Sequence, residues 1–424
     1  MKFALSRRHK RLLVVVSTRS RRRAIFLLGG VVIGAAAAAL AQLADLAQTA
    51  FVALLGHSRY LPFVVTPLGF LISVYLTDRF FQNAQGSGIP QAIAARRLTD
   101  QTARGRLVSM RVAVGKFVLT LFGLLVGASV GREGPTVQIG ASIMFALGRL
   151  SPRRQPALIL AGASAGVAAA FNTPLAGIIF GIEEMSRSFE TRSSTLIIAA
   201  VVAAGLTSVA LLGNYTYFGT SAMTLRGGVD WLAIPACGVV GGLAGGLFSR
   251  IVVAAGGLQA IARHPLLLAL GCGFAVAICG FASDDTVYGT SYAQVKTALE
   301  SGSPLPTEFG VLKWLATTLS SVSGLPGGIF SPSLAVGAGL GSNIAALFTD
   351  TPIAAIMLLG MVAYFSGVVQ APITAFAIVI EMTDNHTMVI PLMATSVIAY
   401  AASRLVSDEG IYHALARRFV QPGA

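Results

Sequence analysis

Apolar runs of membrane-spanning length recur from Ala24 to Leu405, and no polar stretch of comparable length separates them. Nothing constrains the fold more. In hydrocarbon every backbone N–H and C=O has to be satisfied within the chain, so segments of this kind are read as helices. With 54% hydrophobic and 11% charged residues among 424, the chain is too apolar for a soluble enzyme and too long for a single-span anchor. The expectation is an all-α, multi-pass membrane protein with no separate soluble domain. Cys237, Cys272 and Cys279 all fall inside apolar runs, where a thiol behaves as a small hydrophobe. No disulfide, metal site or cofactor is expected.

The formal charge of +14 raises the question of nucleic acid, and its placement answers it. Lys2, Arg7, Arg8, Lys10, Arg11, Arg19, Arg21, Arg22 and Arg23 crowd the segment ahead of the first apolar run. The positive-inside rule puts such an arm, residues 1–23, in the cytoplasm. No aromatic side chains interleave Arg7 to Arg23, which argues against a nucleic-acid partner. The apolar run from Ala24 is too long for a secretory signal.

Several runs are broken in a chemically specific way. Gly131-Arg-Glu-Gly-Pro135 stands between Val112–Val130 and Val137–Leu150. A proline suited to a helix first turn, next to glycines, aims free backbone N–H groups at one point, and such a point attracts anions. Glu133 is read as a tethered anion in that site, held until a proton or a competing anion displaces it. Upstream, Gly86, Ser87, Gly88 and Pro90 read either as an ordinary turn or as a helix start that presents the Ser87 hydroxyl. Lys116 lies inside an apolar run, as a partnered charge or as a cation reaching the interface. Thr136–Leu150 is short for a straight span, which favours a broken or re-entrant helix. Leu158–Met185 is rich in small residues, interrupted at Asn172-Thr-Pro174, and ends in Glu183-Glu184, either a solvated helix end or a proton access site. Asp284–Pro306 is the longest polar connection of the second half.

The second half repeats the first. Val114, Lys116, Thr120, Gly127, Gly131, Pro135 and Gly140 meet Val311, Lys313, Thr317, Gly324, Gly328, Pro332 and Gly337 at a constant spacing of 197. After one residue of slippage, Gly162, Ala165, Pro174, Ile182 and Glu183 meet Gly360, Ala363, Pro372, Ile380 and Glu381 at 198. Shared apolarity does not align Gly, Pro and Lys in one register. Two such halves, each with a helix broken at the corresponding place, form the pattern of a transporter with its site at the repeat interface. The expected division is a first repeat at 24–213, a second at 214–406 and a short segment at 407–424. One break carries Glu133 and the other, Gly327-Gly-Ile-Phe-Ser-Pro-Ser333, carries Phe330.

Gly86-Ser-Gly-Ile-Pro90, Gly131-Arg-Glu-Gly-Pro135 and Gly328-Ile-Phe-Ser-Pro332, with Tyr412 near the C-terminus, resemble the signature set of the CLC chloride channels and chloride/proton exchangers. The resemblance runs from about Ala24 onward. It implies a fold of two inverted-topology repeats with tilted, broken and re-entrant helices, and a homodimer with one anion pathway per subunit. On that resemblance Ser87 and Tyr412 donate hydroxyl hydrogen bonds to a central chloride, the amides of Ile329 and Phe330 complete its cage, Glu133 is the outer gate and Glu184 the inner proton-transfer group. A serine at position 87 matches members that prefer chloride. The regulatory domains of eukaryotic members do not follow position 424, which points to a bacterial inner-membrane protein.

Three functions follow from these residues. Exchange of chloride for protons uses Glu133 and Glu184 in sequence, with membrane lipid as surroundings. A passive chloride channel of the same fold needs Glu133 alone. An intramembrane enzyme would use Glu183 and Glu184 as an acid pair, but no zinc-type His-Glu-x-x-His and no Ser/His nucleophile arrangement accompanies them. Exchange is the reading that uses Glu184. Lys116 and Lys313 are assigned electrostatic support of the anion from a distance.

Overall fold

The computed structural model describes residues 7–150, 152–186, 191–219, 223–261, 264–348 and 350–420. The first half contains α1 (Arg7–Leu55), α2 (Pro62–Phe80), α3 (Ile89–Arg97), α4 (Gln101–Leu107), α5 (Met110–Leu125), α6 (Glu133–Leu147), α7 (Gln155–Phe171), α8 (Pro174–Phe180) and α9 (Thr191–Leu212). The second contains α10 (Ala233–Ile261), α11 (Pro265–Ala282), α12 (Tyr292–Ser301), α13 (Phe309–Val322), α14 (Phe330–Ala345), α15 (Ile353–Val369), α16 (Pro372–Thr383), α17 (Val389–Arg404) and α18 (Ile411–Val420). Among the described residues seven helices are long and apolar enough to cross a membrane. The protein is a multi-pass, all-α membrane protein.

The short helices matter most for the site. Helix α6 has 15 residues and α14 has 16, about 23 Å at 1.5 Å per residue, less than the roughly 30 Å of a hydrocarbon core. A helix that stops inside the membrane has to be wrapped in protein, and both are buried over most of their length. Helix α6 packs on α7 and α14 on α15 through the same device. A methyl group on Gly140 would overlap the Gly162 carbonyl oxygen, and one on Gly337 would overlap that of Gly360. The glycines aligned by the repeat are therefore the points where the two backbones of each half touch.

Both repeated lysines are fully buried and serve as backbone ties. Lys116 Nζ donates to the carbonyls of Gly86 (2.7 Å) and Gln85 (3.3 Å), bracing the turn that carries Ser87. Lys313 Nζ donates to Gly289 (2.7 Å) and Val287 (2.9 Å), ahead of α12. Lys116 therefore stands behind the candidate site, whereas Lys313 braces another turn.

Two segments depart from the sequence reading. The polar stretch Asp284–Pro306 contains helix α12, because Val295, Ala298 and Leu299 fall on one face and are buried there. Helix α1 runs back from the apolar run to Arg7, into the basic arm; residues 1–6 of that arm lie outside the described residues.

Candidate functional site

Three chain breaks meet at one place. The amide of Gly131 donates to the Gly328 carbonyl and the amide of Gly328 donates to the Gly131 carbonyl, both at 2.7 Å, so the starts of α6 and α14 are joined backbone to backbone. The Gly327 amide donates to the Gly86 carbonyl at 3.0 Å, which brings in the turn ahead of α3. Glycine is required by contact here. A Cβ on Gly134 would strike the Ser87 hydroxyl, and one on Gly328 would lie 2.9 Å from the Gly134 amide nitrogen. The Gly86–Pro90 segment is thus a helix start and not a free turn: Gly88, at φ +93°, directs the chain into α3.

The Glu133 side chain is fully buried and turns away from its own helix toward the second half. Its Oε1 accepts from the Ser331 hydroxyl at 2.5 Å and from the Tyr217 hydroxyl at 3.3 Å, and its Oε2 faces the Ser331 amide at 3.5 Å. The carboxylate therefore sits at the first turn of α14, where amides have no partner one turn back and the helix dipole favours negative charge. Arg132 points the other way. Its Nη1 donates to Asp45 Oδ1 at 2.9 Å and to the Ala41 carbonyl at 2.8 Å, both on α1, and its guanidinium lies 5.7 Å from the centre of the Tyr217 ring.

Deeper in the protein, the hydroxyls of Ser87 and Tyr412 are buried and make no hydrogen bond to protein atoms. Buried hydroxyls of this kind, near each other, suit an anion as their acceptor. Phe330 anchors the surrounding wall. Its ring contacts Phe171, Phe180, Phe365 and Tyr412 at centroid distances of 4.8 to 6.0 Å, joining α7, α8, α15 and α18 to the start of α14. Ile329 is the N-cap residue of that helix. A cavity of about 210 Å³ runs from Ser87 and Gln91 to the exposed Arg418 of α18.

The adjacent acids Glu183 and Glu184 do different work. Glu183 receives the amides of Ile373 (3.1 Å) and Thr374 (2.6 Å) and the Thr374 hydroxyl (2.7 Å), so it caps α16. Glu184 is buried beside His413, whose Nε2 lies 2.7 Å from the Glu184 carbonyl and 3.4 Å from its carboxylate. Arg97 Nη2 lies 2.9 Å from His413 Nδ1. Arginine only donates, so Nδ1 is the acceptor and the proton rests on Nε2, facing Glu184. With Glu183 committed to a helix start, the two carboxylates do not converge on one reacting atom.

Ser87, Glu133, Ile329, Phe330 and Tyr412 lie around the joined helix starts. Sequence reasoning missed Ser331, Tyr217 and His413. Ser331 and His413 stand beside residues already singled out, a signal that was available. Tyr217 lies in the connection between α9 and α10, and nothing in its local sequence points to a buried site.

Known proteins with this arrangement converge on one family. The family model described as "Voltage gated chloride channel" matches residues 68–404. The H(+)/Cl(-) exchange transporter ClcA of Yersinia pestis bv. Antiqua (strain Angola) is 31% identical over 409 residues, covering 90% of this chain and 80% of that protein. In fold, the chain is similar to a slow cyanobacterial Cl-/H+ antiporter, at a TM-score of 0.79 and 24% identity over 94% of this chain and 98% of the other. It is also similar to a CLC-type fluoride/proton antiporter, at 0.80 and 22% over 93% and 97%. With crossed helix starts, a carboxylate lodged at one of them and a family model spanning most of its length, the chain belongs to the CLC family.

Proposed function

We propose that the protein is a secondary active transporter exchanging chloride for protons. One observation carries the reading: the Glu133 carboxylate occupies the first turn of α14, the place an anion would take. Two negative charges a few ångströms apart in a dehydrated site repel by several kcal/mol at an effective dielectric of about 20. Glu133 must therefore leave or take a proton before chloride enters, and alternation at that position couples the two ions. Ser87, Tyr412 and the amides of Ile329 and Phe330 hold the central anion. Glu184, buried beside His413, supplies the proton from the inner side. The working unit is a homodimer with one pathway per subunit, in a bacterial inner membrane with its N-terminus cytoplasmic.

The test is a reconstituted vesicle in which chloride and proton movements are recorded together. Exchange requires that an imposed chloride gradient drive protons against their own gradient. Chloride flux with no proton movement would make the protein a passive channel of the same fold.

A further inference from the structure

The connection between α9 and α10 is built into the candidate site beside Glu133. Asn172, at the end of α7, donates through Nδ2 to the Tyr215 carbonyl at 2.9 Å and to Asn214 Oδ1 at 3.0 Å. The Phe218 amide donates to the Met382 carbonyl on α16 at 2.9 Å. Between these anchors Tyr217 turns inward and is almost completely buried. Its ring is fixed edge-on by Phe171 (5.4 Å), Phe218 (5.0 Å) and Tyr292 (4.7 Å). Its hydroxyl ends at the Glu133 carboxylate (3.3 Å) and the Ser331 hydroxyl (3.0 Å).

From this geometry we propose that Tyr217 is a latch on the gate: its hydroxyl, with Ser331, holds the Glu133 carboxylate in the outer position and sets how readily it is released. The proposal rests on Glu133 being the gate. Ser331 donates to Oε1, and Tyr217 donates either to the same oxygen or to Ser331, so its hydroxyl holds the carboxylate directly or in relay. A protonated carboxyl accepts less strongly and releases. The other charged or titratable groups around the pair are Arg132 with Asp45 of α1, Tyr215 of the same connection, Tyr292 of α12, and Tyr412 of α18 with Glu184 beyond it. None of the tyrosines among these is hydrogen-bonded to Glu133 among the described residues. Tyr217 alone reaches it from the connection, on a ring too tightly packed to turn away.

The readout is the pH dependence of chloride efflux from vesicles. Tyr217→Phe keeps the ring and its three aromatic contacts while deleting one hydroxyl from the hydrogen-bonded set on the carboxylate, an interaction that amounts to about tenfold in equilibrium. Efflux of Tyr217→Phe is expected to reach half its maximum about one pH unit higher than in the native protein. A ring-fluorinated tyrosine placed at 217 is a stronger donor and is expected to move the midpoint downward. Glu133→Gln supplies the control. If it abolishes the pH response while both changes at 217 leave the native midpoint, the latch is overturned and the gate stands. If Glu133→Gln retains the native pH response, the gate assignment itself fails.

Discussion

Glu183, in the π-helical turn Gly181–Ser186 that continues α8, holds the start of α16, and Glu381 of α16 holds the start of α8. Glu183 accepts from Ile373 and Thr374 at the head of α16, and Glu381 of α16 accepts from Leu175 (3.0 Å) and Ala176 (2.6 Å) at the head of α8. A carboxylate at a helix start satisfies otherwise orphaned amides and complements the dipole. Each half thus closes the other's short helix.

This separates two neighbouring acids by experiment. Glu183→Gln is expected to lower the unfolding free energy by about 1 kcal/mol, read as a lower melting temperature in detergent, and to leave coupled transport intact. Glu184→Gln is expected to abolish proton movement while chloride still crosses. The reverse pattern in the vesicle assay would exchange the two assignments.

Glu133→Gln removes the charge that competes with chloride. Anion flux is expected to persist, and a chloride gradient is expected no longer to drive protons. Uphill proton movement in this variant, followed with a pH-sensitive dye, would contradict the role given to Glu133.

The two buried lysines make different predictions from equivalent places in the repeat. Lys313→Met leaves the Val287 and Gly289 carbonyls without their lysine donor, at about 1 to 3 kcal/mol each, so that protein should melt earlier, whereas in Lys116→Met the Gln85 and Gly86 carbonyls keep the Gln91 side chain and the Gly327 amide as donors and the loss of stability should be smaller. Only Lys116 braces the Ser87 turn. Chloride affinity by titration calorimetry should weaken about tenfold in Lys116→Met, equivalent to about 1.4 kcal/mol, and stay near the native value in Lys313→Met.

Gly134→Ala inserts a methyl group against the Ser87 hydroxyl. Overpacking of about 1 to 3 kcal/mol at a crossing with no slack should weaken chloride binding by roughly tenfold or more. Gly205→Ala, on α9 with open space around it, serves as the control and should bind chloride normally.

How much of this was legible beforehand depended on whether the signal was local. The helix breaks at Gly131 and Gly328 announce themselves, because glycine and proline punctuate an apolar run, and their spacing gave the repeat. That Glu133 sits as a tethered anion was readable from its break, but that Ser331 and Tyr217 hold it was not, because that depends on which way side chains turn at a crossing of distant segments. Glu183 and Glu184 look alike in sequence and differ only in what α16 and α18 bring to them. Tyr217 was invisible for the same reason: an aromatic residue in a connection gains its meaning from Phe171, Tyr292 and Glu133, all far away in the chain.

The reciprocal pair of 2.7 Å bonds between Gly131 and Gly328 limits how this molecule can move. Rocking one half away from the other would strip four buried polar backbone atoms of their partners, at about 1 to 3 kcal/mol apiece. The halves are riveted where a rocking transporter would hinge apart. On the role proposed for Glu133, access to either side of the membrane would then be switched by the swing of one acidic side chain inside a stationary frame.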